Sequence, residues 1–152
     1  MSRAKLYAVA ALTSAVLALV ASCDETPYRQ GQAIYEYKCA NCHMDDGSGL
    51  VGNIPPLAGA DWLSTHRDDI ACVIRNGMQG PMEVNGLAYS GVMRGYPELS
   101  DTELTNVANY ILTAWGNDEP PLPASRVPEM LDDCEARGYP RIKEANPQQL
   151  GL

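Results

Sequence analysis

Cys39 and Cys42 stand three positions apart, and His43 follows directly. Two thiols at that spacing can each add to a vinyl group of a porphyrin as a thioether, and an imidazole one position beyond is directed at the iron from the same face. The spacing therefore predicts covalent attachment of a single haem, with His43 as one axial ligand. A bare Cys-x-x-Cys would serve equally in a zinc site or as a redox dithiol. Zinc would need two further ligands, for which Cys72 and Cys134 are available. A thioredoxin-like dithiol would need a βαβ pattern nearby, and the sequence lacks one. The adjacent His and an export signal upstream favour haem over both.

An iron held by one His suits electron transfer when its sixth position is filled, and a thioether sulfur there raises the potential. By residue type the candidates are Met44, Met78, Met82, Met93, Met130 and His66. Met44 adjoins His43 and would have to reach round to the opposite face of the ring. His66 sits amid Thr65, Arg67, Asp68 and Asp69 and reads as part of a solvated helix face. The remaining methionines stay open on residue type, because Met is also an ordinary filler of gaps in cores.

The elements that must position these groups read as helices. Thr26 can cap a helix with Pro27 at its first position, running through Gly31, Ile34 and Tyr35 to about Lys38 and straight into the Cys39 motif. Residues 44–60, rich in Gly, Asp and Pro, form a loop stiffened by Pro55-Pro56. Thr65 and Asp68 can cap a second helix that carries Ile70, Val73 and Ile74 and stops at Gly77. Gly-rich coil is expected from there to Tyr96. Ser100 with Glu103 three residues on is a capping box, and it opens the strongest helix of the sequence. Leu104, Val107, Ala108, Ile111, Leu112 and Trp115 form one continuous apolar face on it. After a stiff crossing at Glu119-Pro120-Pro121-Leu122-Pro123, Pro128–Arg137 reads as a short helix grouping Met130, Leu131 and Cys134. Tyr139–Leu152 has no apolar period and reads as disordered.

Residues 1–22 read as an export signal, with Arg3 and Lys5 ahead of an apolar run from Leu6 to Val20. That run is short of the roughly 20 residues a membrane-spanning helix needs. Leu19-Val20-Ala21-Ser22-Cys23 resembles a bacterial lipobox, with Cys23 as the lipidated first residue. Residues 23–26 make a tether reaching only about 10 Å, which would hold the protein against its membrane. The 152-residue chain has 11 basic and 19 acidic residues; losing Arg3 and Lys5 moves its formal charge from −8 to −10. That balance argues against nucleic acid as a partner. It suits a redox partner with a basic docking face, although acidity that only keeps the surface soluble explains it equally well.

Residues 27–117 resemble the class I, mono-haem cytochrome c family in a bacterial lipoprotein form. Gly31 and Tyr35 are similar to the family's first helix, where the Gly permits close crossing with the last helix, and Tyr110 to the aromatic met there. Ile54-Pro55-Pro56-Leu57-Ala58-Gly59 is similar to the loop whose Pro carbonyl, here that of Pro55, holds the proximal imidazole. Tyr89-Ser90-Gly91-Val92-Met93 is similar to the distal-ligand segment. The resemblance thus implies Met93 as the second iron ligand, with Arg94 where the family often has Pro. It implies an all-α cytochrome c fold, three to four main helices around one haem c, and 118–152 as a C-terminal extension packed on the domain. Leu57, Trp62 and Tyr89 join Cys39, Cys42, His43, Pro55 and Met93 as expected haem contacts; Trp62 and Tyr89 could donate to propionates, although both are more often plain packing residues.

With Cys23, Cys39 and Cys42 assigned, Cys72 and Cys134 remain as a pair in an exported chain, where disulfides persist. Bridging them would close a loop of about 61 residues and, by chain entropy, stabilise the fold by about 4 kcal/mol; two free cysteines, with Cys72 buried in its helix, are the alternative. The expected activity is one-electron transfer in a bacterial respiratory chain, without substrate turnover, at the periplasmic or outer face of a membrane. A cytochrome subunit of a periplasmic dehydrogenase or reductase complex is the alternative; a haem gas sensor with a labile Met ligand is a third. The single haem motif excludes a di-haem peroxidase, and its early position argues against four-helix cytochromes.

Overall fold

The computed structural model describes residues 27–137. The export signal, Thr26, the Cys23 tether and the chain beyond Arg137 lie outside the described residues. Helix α1 spans Arg29–Lys38, starting after Tyr28 without a side-chain cap rather than at Pro27. Cys39 links it to α2, a single turn at Ala40–His43. The loop that follows contains an isolated bridge between Leu50 and Ile54.

The expected second helix is broken in two. Helix α3 spans Asp61–Thr65, a 3-10 turn covers Arg67–Asp69, and α4 spans Ile70–Asn76. The Ser64 and Thr65 hydroxyls donate back to Asp61 O, at 2.8 and 3.1 Å. Such local bonds compete with helix continuation, so Thr65 closes α3 instead of capping α4. Asp68 caps nothing either, since the residue before α4 is Asp69 and makes no side-chain cap bond. Helix α4 does stop at Gly77, whose φ of 81° suits a residue without Cβ.

Coil was expected from Gly77 to Tyr96, and the structure instead forms two nested antiparallel ribbons. Strand β1 (Gly77–Gln79) pairs with β4 (Val92–Arg94), and within that loop β2 (Met82–Val84) pairs with β3 (Leu87–Tyr89). The inner turn is Asn85-Gly86, both with positive φ (53° and 74°), as a two-residue hairpin requires. Asp61 fastens this turn through a reciprocal pair: Asn85 N donates to Asp61 Oδ1 (2.8 Å) and Asp61 N to Asn85 Oδ1 (3.0 Å). The described residues are therefore mainly helical, with two small ribbons where coil was expected.

Helix α5, Asp101–Thr113, opens with the complete Ser100–Glu103 capping box. Leu104, Val107, Ala108, Ile111 and Leu112 are all buried in the main core. Full burial of each Val, Leu or Ile contributes about 1.5–3 kcal/mol relative to exposure. Helix α6, Val127–Ala136, follows a 3-10 turn at Ala124–Arg126 and buries Val127, Met130 and Cys134. Asn109, buried in the apolar face of α5, donates to Leu122 O (3.0 Å) and accepts from Leu122 N (2.6 Å). Cys72 of α4 and Cys134 of α6 form a disulfide, with Cα atoms 5.8 Å apart. Residues 118–137 are thus packed on the rest of the structure. No helix among the described residues is long and apolar enough to cross a membrane.

Where α1 crosses α5, a Cβ on Gly31 would run into the backbone carbonyl of Asn106 and lie 2.9 Å from Tyr110 Cβ. Neither obstacle is the end of a flexible side chain. Gly31→Ala is expected to lower unfolding free energy by about 1–3 kcal/mol, the usual cost of overpacking, in a urea titration of the complete protein.

Candidate functional site

Cys39 N donates to Tyr35 O (2.8 Å), so the Cys39 motif inherits its direction from α1. Cys42 N and His43 N both donate to Cys39 O, at 3.0 and 2.9 Å. Positions i, i+3 and i+4 of a helical turn share a face, so this local fold sets both sulfurs and the imidazole on one side. Both thiols are free, Cys39 buried and Cys42 exposed. Burial pushes the Cys39 thiol up to about 11, against the opposing pull of Lys38. The other two sulfurs a zinc site would require, Cys72 and Cys134, are bonded to each other. Among the described residues no three His, Cys, Asp or Glu side chains cluster to hold a metal.

His43 is buried, and its Nδ1 lies 3.1 Å from Pro55 O. A carbonyl only accepts, so Nδ1 carries the proton and Nε2 presents its lone pair. Nε2 has no hydrogen-bond partner among the described residues. Burial lowers the imidazole pKa while the Pro55 bond partly opposes it, which favours the neutral, metal-ligating ring. Two unpaired thiols and an oriented imidazole with a vacant nitrogen make a donor set that fits a covalent haem.

Three side chains from α1 and the end of α5 hold the loop that delivers Pro55. Tyr35 OH donates to Met44 O (2.6 Å), Trp115 Nε1 to Asp45 O (3.1 Å), and Asn117 Nδ2 to Leu57 O (3.0 Å). Asn117 Oδ1 also accepts from Gly59 N (2.8 Å). Inside the loop, Leu57 N and Ala58 N both donate to Gly47 O, at 2.7 and 3.0 Å. Gly47 has a φ of 69°, and a Cβ there would lie 2.7 Å from the Trp115 ring. Tyr35 packs at a tilt against Tyr110 and Trp115, at centroid distances of 5.5 and 4.8 Å. Burial is the main cause of its strongly raised phenol pKa, so it remains a donor.

The methionines separate by environment. Met130 is buried in the core, Met82 packs against the core's edge, and Met44 is exposed. Met78 and Met93 are half-buried and, among the described residues, belong neither to the core nor to its packed edge. They face each other across the outer ribbon, in register as β1 and β4 partners. The segment after Met93 is tied back to the motif, because Tyr96 OH donates to Lys38 O (2.5 Å) and Lys38 Nζ meets Glu98 Oε1 (2.6 Å). Tyr96 N also donates to Ile74 O (2.9 Å) at the end of α4. The Arg94 guanidinium lies over the Tyr96 ring, 4.8 Å from its centroid.

Of the remaining expected contacts, Leu57 is half-buried against the core and Tyr89 is buried in β3. Trp62 is half-buried and stacks on exposed His66, centroids 4.8 Å apart and planes within 6°. Neither the Trp62 indole N–H nor the Tyr89 hydroxyl has a hydrogen-bond partner among the described residues. The sequence reading missed the positioning parts played by Tyr96, Trp115 and Asn117. A polar Asn just past an apolar helix end, and a Tyr after two glycines, were the signals available for two of them.

The sequence pattern describing cytochrome c matches residues 28–115. Cytochrome c-552 of Thermus thermophilus is 36% identical over 129 residues, covering 79% of this chain and 90% of that protein. The cytochrome c subunit of the quinone alcohol dehydrogenase of Gluconobacter oxydans is 39% identical over 95 residues, 59% of this chain but 19% of that protein. The CcoP subunit of the cbb3-type cytochrome c oxidase of Rhodobacter capsulatus is 33% identical over 97 residues, 61% of this chain and 31% of that protein.

Tyr96→Phe removes the hydroxyl that joins the segment after Met93 to the backbone just before Cys39. Losing this half-buried bond is expected to lower stability by about 1 kcal/mol, read as a shift of the urea midpoint at unchanged slope.

Proposed function

The chain belongs to the cytochrome c family, and from that premise we propose that it is a single-haem carrier whose iron is held by His43 and Met93, lipid-tethered at a bacterial membrane. It is an electron carrier with a covalently bound c-type haem, and it is an exported protein. The haem supplies reversible one-electron chemistry at iron. The chain's own residues would attach it, hold its iron and exclude water.

The observation that carries the ligand assignment is the bond between His43 Nδ1 and Pro55 O. It leaves Nε2 as the nitrogen available to iron. On the other side, the seclusion of Met78 and Met93 from the core supports a thioether from the outer ribbon, and the order of segments before α5 favours Met93. With His43 and Met93 both holding the iron, oxygen and peroxide would find no open site, which suits electron transfer without substrate turnover. The free donors on Trp62 and Tyr89 suit haem propionates, and half-buried Leu57 supplies apolar cover. Lipidation at Cys23 would confine the carrier to a membrane surface. Its acidic charge suits a donor or acceptor with a basic docking face.

Likeness to the cytochrome subunits of a quinone alcohol dehydrogenase and of a cbb3-type oxidase favours a second reading, a resident subunit of a larger redox complex. Stable copurification of a catalytic subunit from detergent-solubilised membranes would distinguish it from a free carrier.

Acid extraction of the denatured protein is expected to leave its colour bound to the polypeptide, and pigment passing wholly into solvent would refute covalent attachment. Met93→Ala is expected to abolish the sulfur-to-ferric-iron charge-transfer band in the visible spectrum. A band that survives the substitution would move the ligand assignment elsewhere.

A further inference from the structure

The outer ribbon places two thioethers together where one suffices for the iron. Met78 and Met93 are direct partners in the antiparallel pair of β1 and β4. Residues opposite one another in such a pair project from the same face, with Cβ atoms about 4.5–5.5 Å apart. Whatever Met93 addresses, Met78 therefore lies beside it.

The backbone makes this pairing hard to escape. A Cβ on Gly77 would collide with the carbonyl oxygen of Met93 and lie 2.7 Å from Gly95 N. A Cβ on Gly95 would in turn lie 2.6 Å from Arg75 O and 2.7 Å from Gly77 N. The ribbon is thus pressed onto the end of α4, and a one-residue slip would turn Met93 to the opposite face. Further along, a Cβ on Gly91 would lie 2.9 Å from Asn53 O, so the other end of β4 is seated as closely on the loop carrying Pro55. Side-chain freedom, not backbone freedom, is what remains for the Met93 thioether. Met has three rotatable bonds and needs a neighbour to hold it.

We propose that Met78 is a positioning residue for Met93, packing along its side chain so that the sulfur stays on the iron and water and outside ligands stay off it. This rests on Met93 as the distal ligand and concerns the strength of that ligation, not its identity. Met78 itself makes no bond to iron. A thioether is a weak ligand that an outside base can displace, so the neighbour's contribution appears as resistance to displacement.

The test compares Met78→Ala and Met78→Leu with the wild-type haem protein. Free imidazole is titrated into the ferric form while the sulfur-to-iron band is followed, and carbon monoxide binding is timed on the ferrous form. Met78→Ala is expected to keep the band without imidazole but to bind imidazole about tenfold more tightly, a change of about 1.4 kcal/mol. Carbon monoxide should bind correspondingly faster. Met78→Leu, which restores bulk without sulfur, should return both values to near wild type. Unchanged imidazole affinity and carbon monoxide rate in Met78→Ala would overturn the proposal. Loss of the band in both Met78 variants would also overturn it, since the Met78 sulfur itself would then be required. A band lost in Met93→Ala but kept in Met78→Ala with wild-type displacement leaves the ligand assignment standing while this inference falls. Should Met78→Ala not fold, Met78→Val keeps the strand and shortens the side chain, and the same titration decides the matter.

Discussion

The close crossing of α1 over α5 at Gly31 is the constraint on which the site depends. Because a side chain at residue 31 would strike the Asn106 carbonyl, the two helices approach at backbone distance, and that approach brings Tyr35 against Tyr110 and Trp115. Tyr35 and Trp115 then reach the carbonyls of Met44 and Asp45 just past the haem motif. From there the loop is short of freedom: Asn117 holds Leu57 and Gly59, Gly47 holds Leu57 and Ala58, and Pro55 is left facing His43. The orientation of one imidazole is thus traced back to the absence of one Cβ. The causal chain passes through buried aromatic packing and charge-free hydrogen bonds, which salt does not screen.

Ion pairs play the smaller part in holding the elements together. Lys38–Glu98, Arg75–Asp101 and Arg137–Asp69 are each formed with at least one side chain well exposed to solvent, so each contributes about 0–1 kcal/mol. Buried amides do more for the topology. Asn109 interrupts the apolar face of α5, and in an apolar environment its two polar atoms must find partners. They find both backbone groups of Leu122, which fixes the path of the proline-rich crossing. Arg67 then donates to the carbonyls of Pro120 and Pro121, at 2.7 and 2.9 Å. Residues 118–137 are therefore held by these bonds along the crossing and by the Cys72–Cys134 link at α6.

What was legible in the sequence follows from the range of the forces involved. The Ser100 capping box, the apolar face of α5 and the grouping of Met130 and Cys134 are set within a few residues, and each could be read directly. The first helix was read with its start two residues early, because its first turn lacks any side-chain cap. The break at residues 65–69 was missed because the same hydroxyl types that cap a following helix can instead bond backward to Asp61. The inner ribbon had a signal that glycine content masked: Asn85-Gly86 sits between Met82-Glu83-Val84 and Leu87-Ala88-Tyr89 and is the turn that hairpins favour. The outer ribbon had none, since β1 and β4 are three residues each and their pairing is fixed from outside, by α4 and by the loop at Asn53.

That outer ribbon also accounts for the one departure from the family pattern. A Pro directly after the distal Met stiffens a loop by fixing its own φ, but Pro has no amide proton and is poorly tolerated within a paired strand. Here the position is Arg94, in register with Gly77 in the β1–β4 pair. Stiffness comes instead from pairing on both sides of Met93 and from Tyr96, whose hydroxyl reaches Lys38 O while Arg94 and Lys38 lie over its ring at 4.8 and 5.3 Å. Cation–π contacts of this kind contribute about 0.5–1 kcal/mol each at exposed sites. Arg94 thus takes over two tasks that Pro could not combine: it continues the strand, and it covers the tyrosine that fastens the strand to the residue before Cys39. The strand that carries Met93 and the helical turn that carries Cys39, Cys42 and His43 are consequently joined by protein contacts of their own.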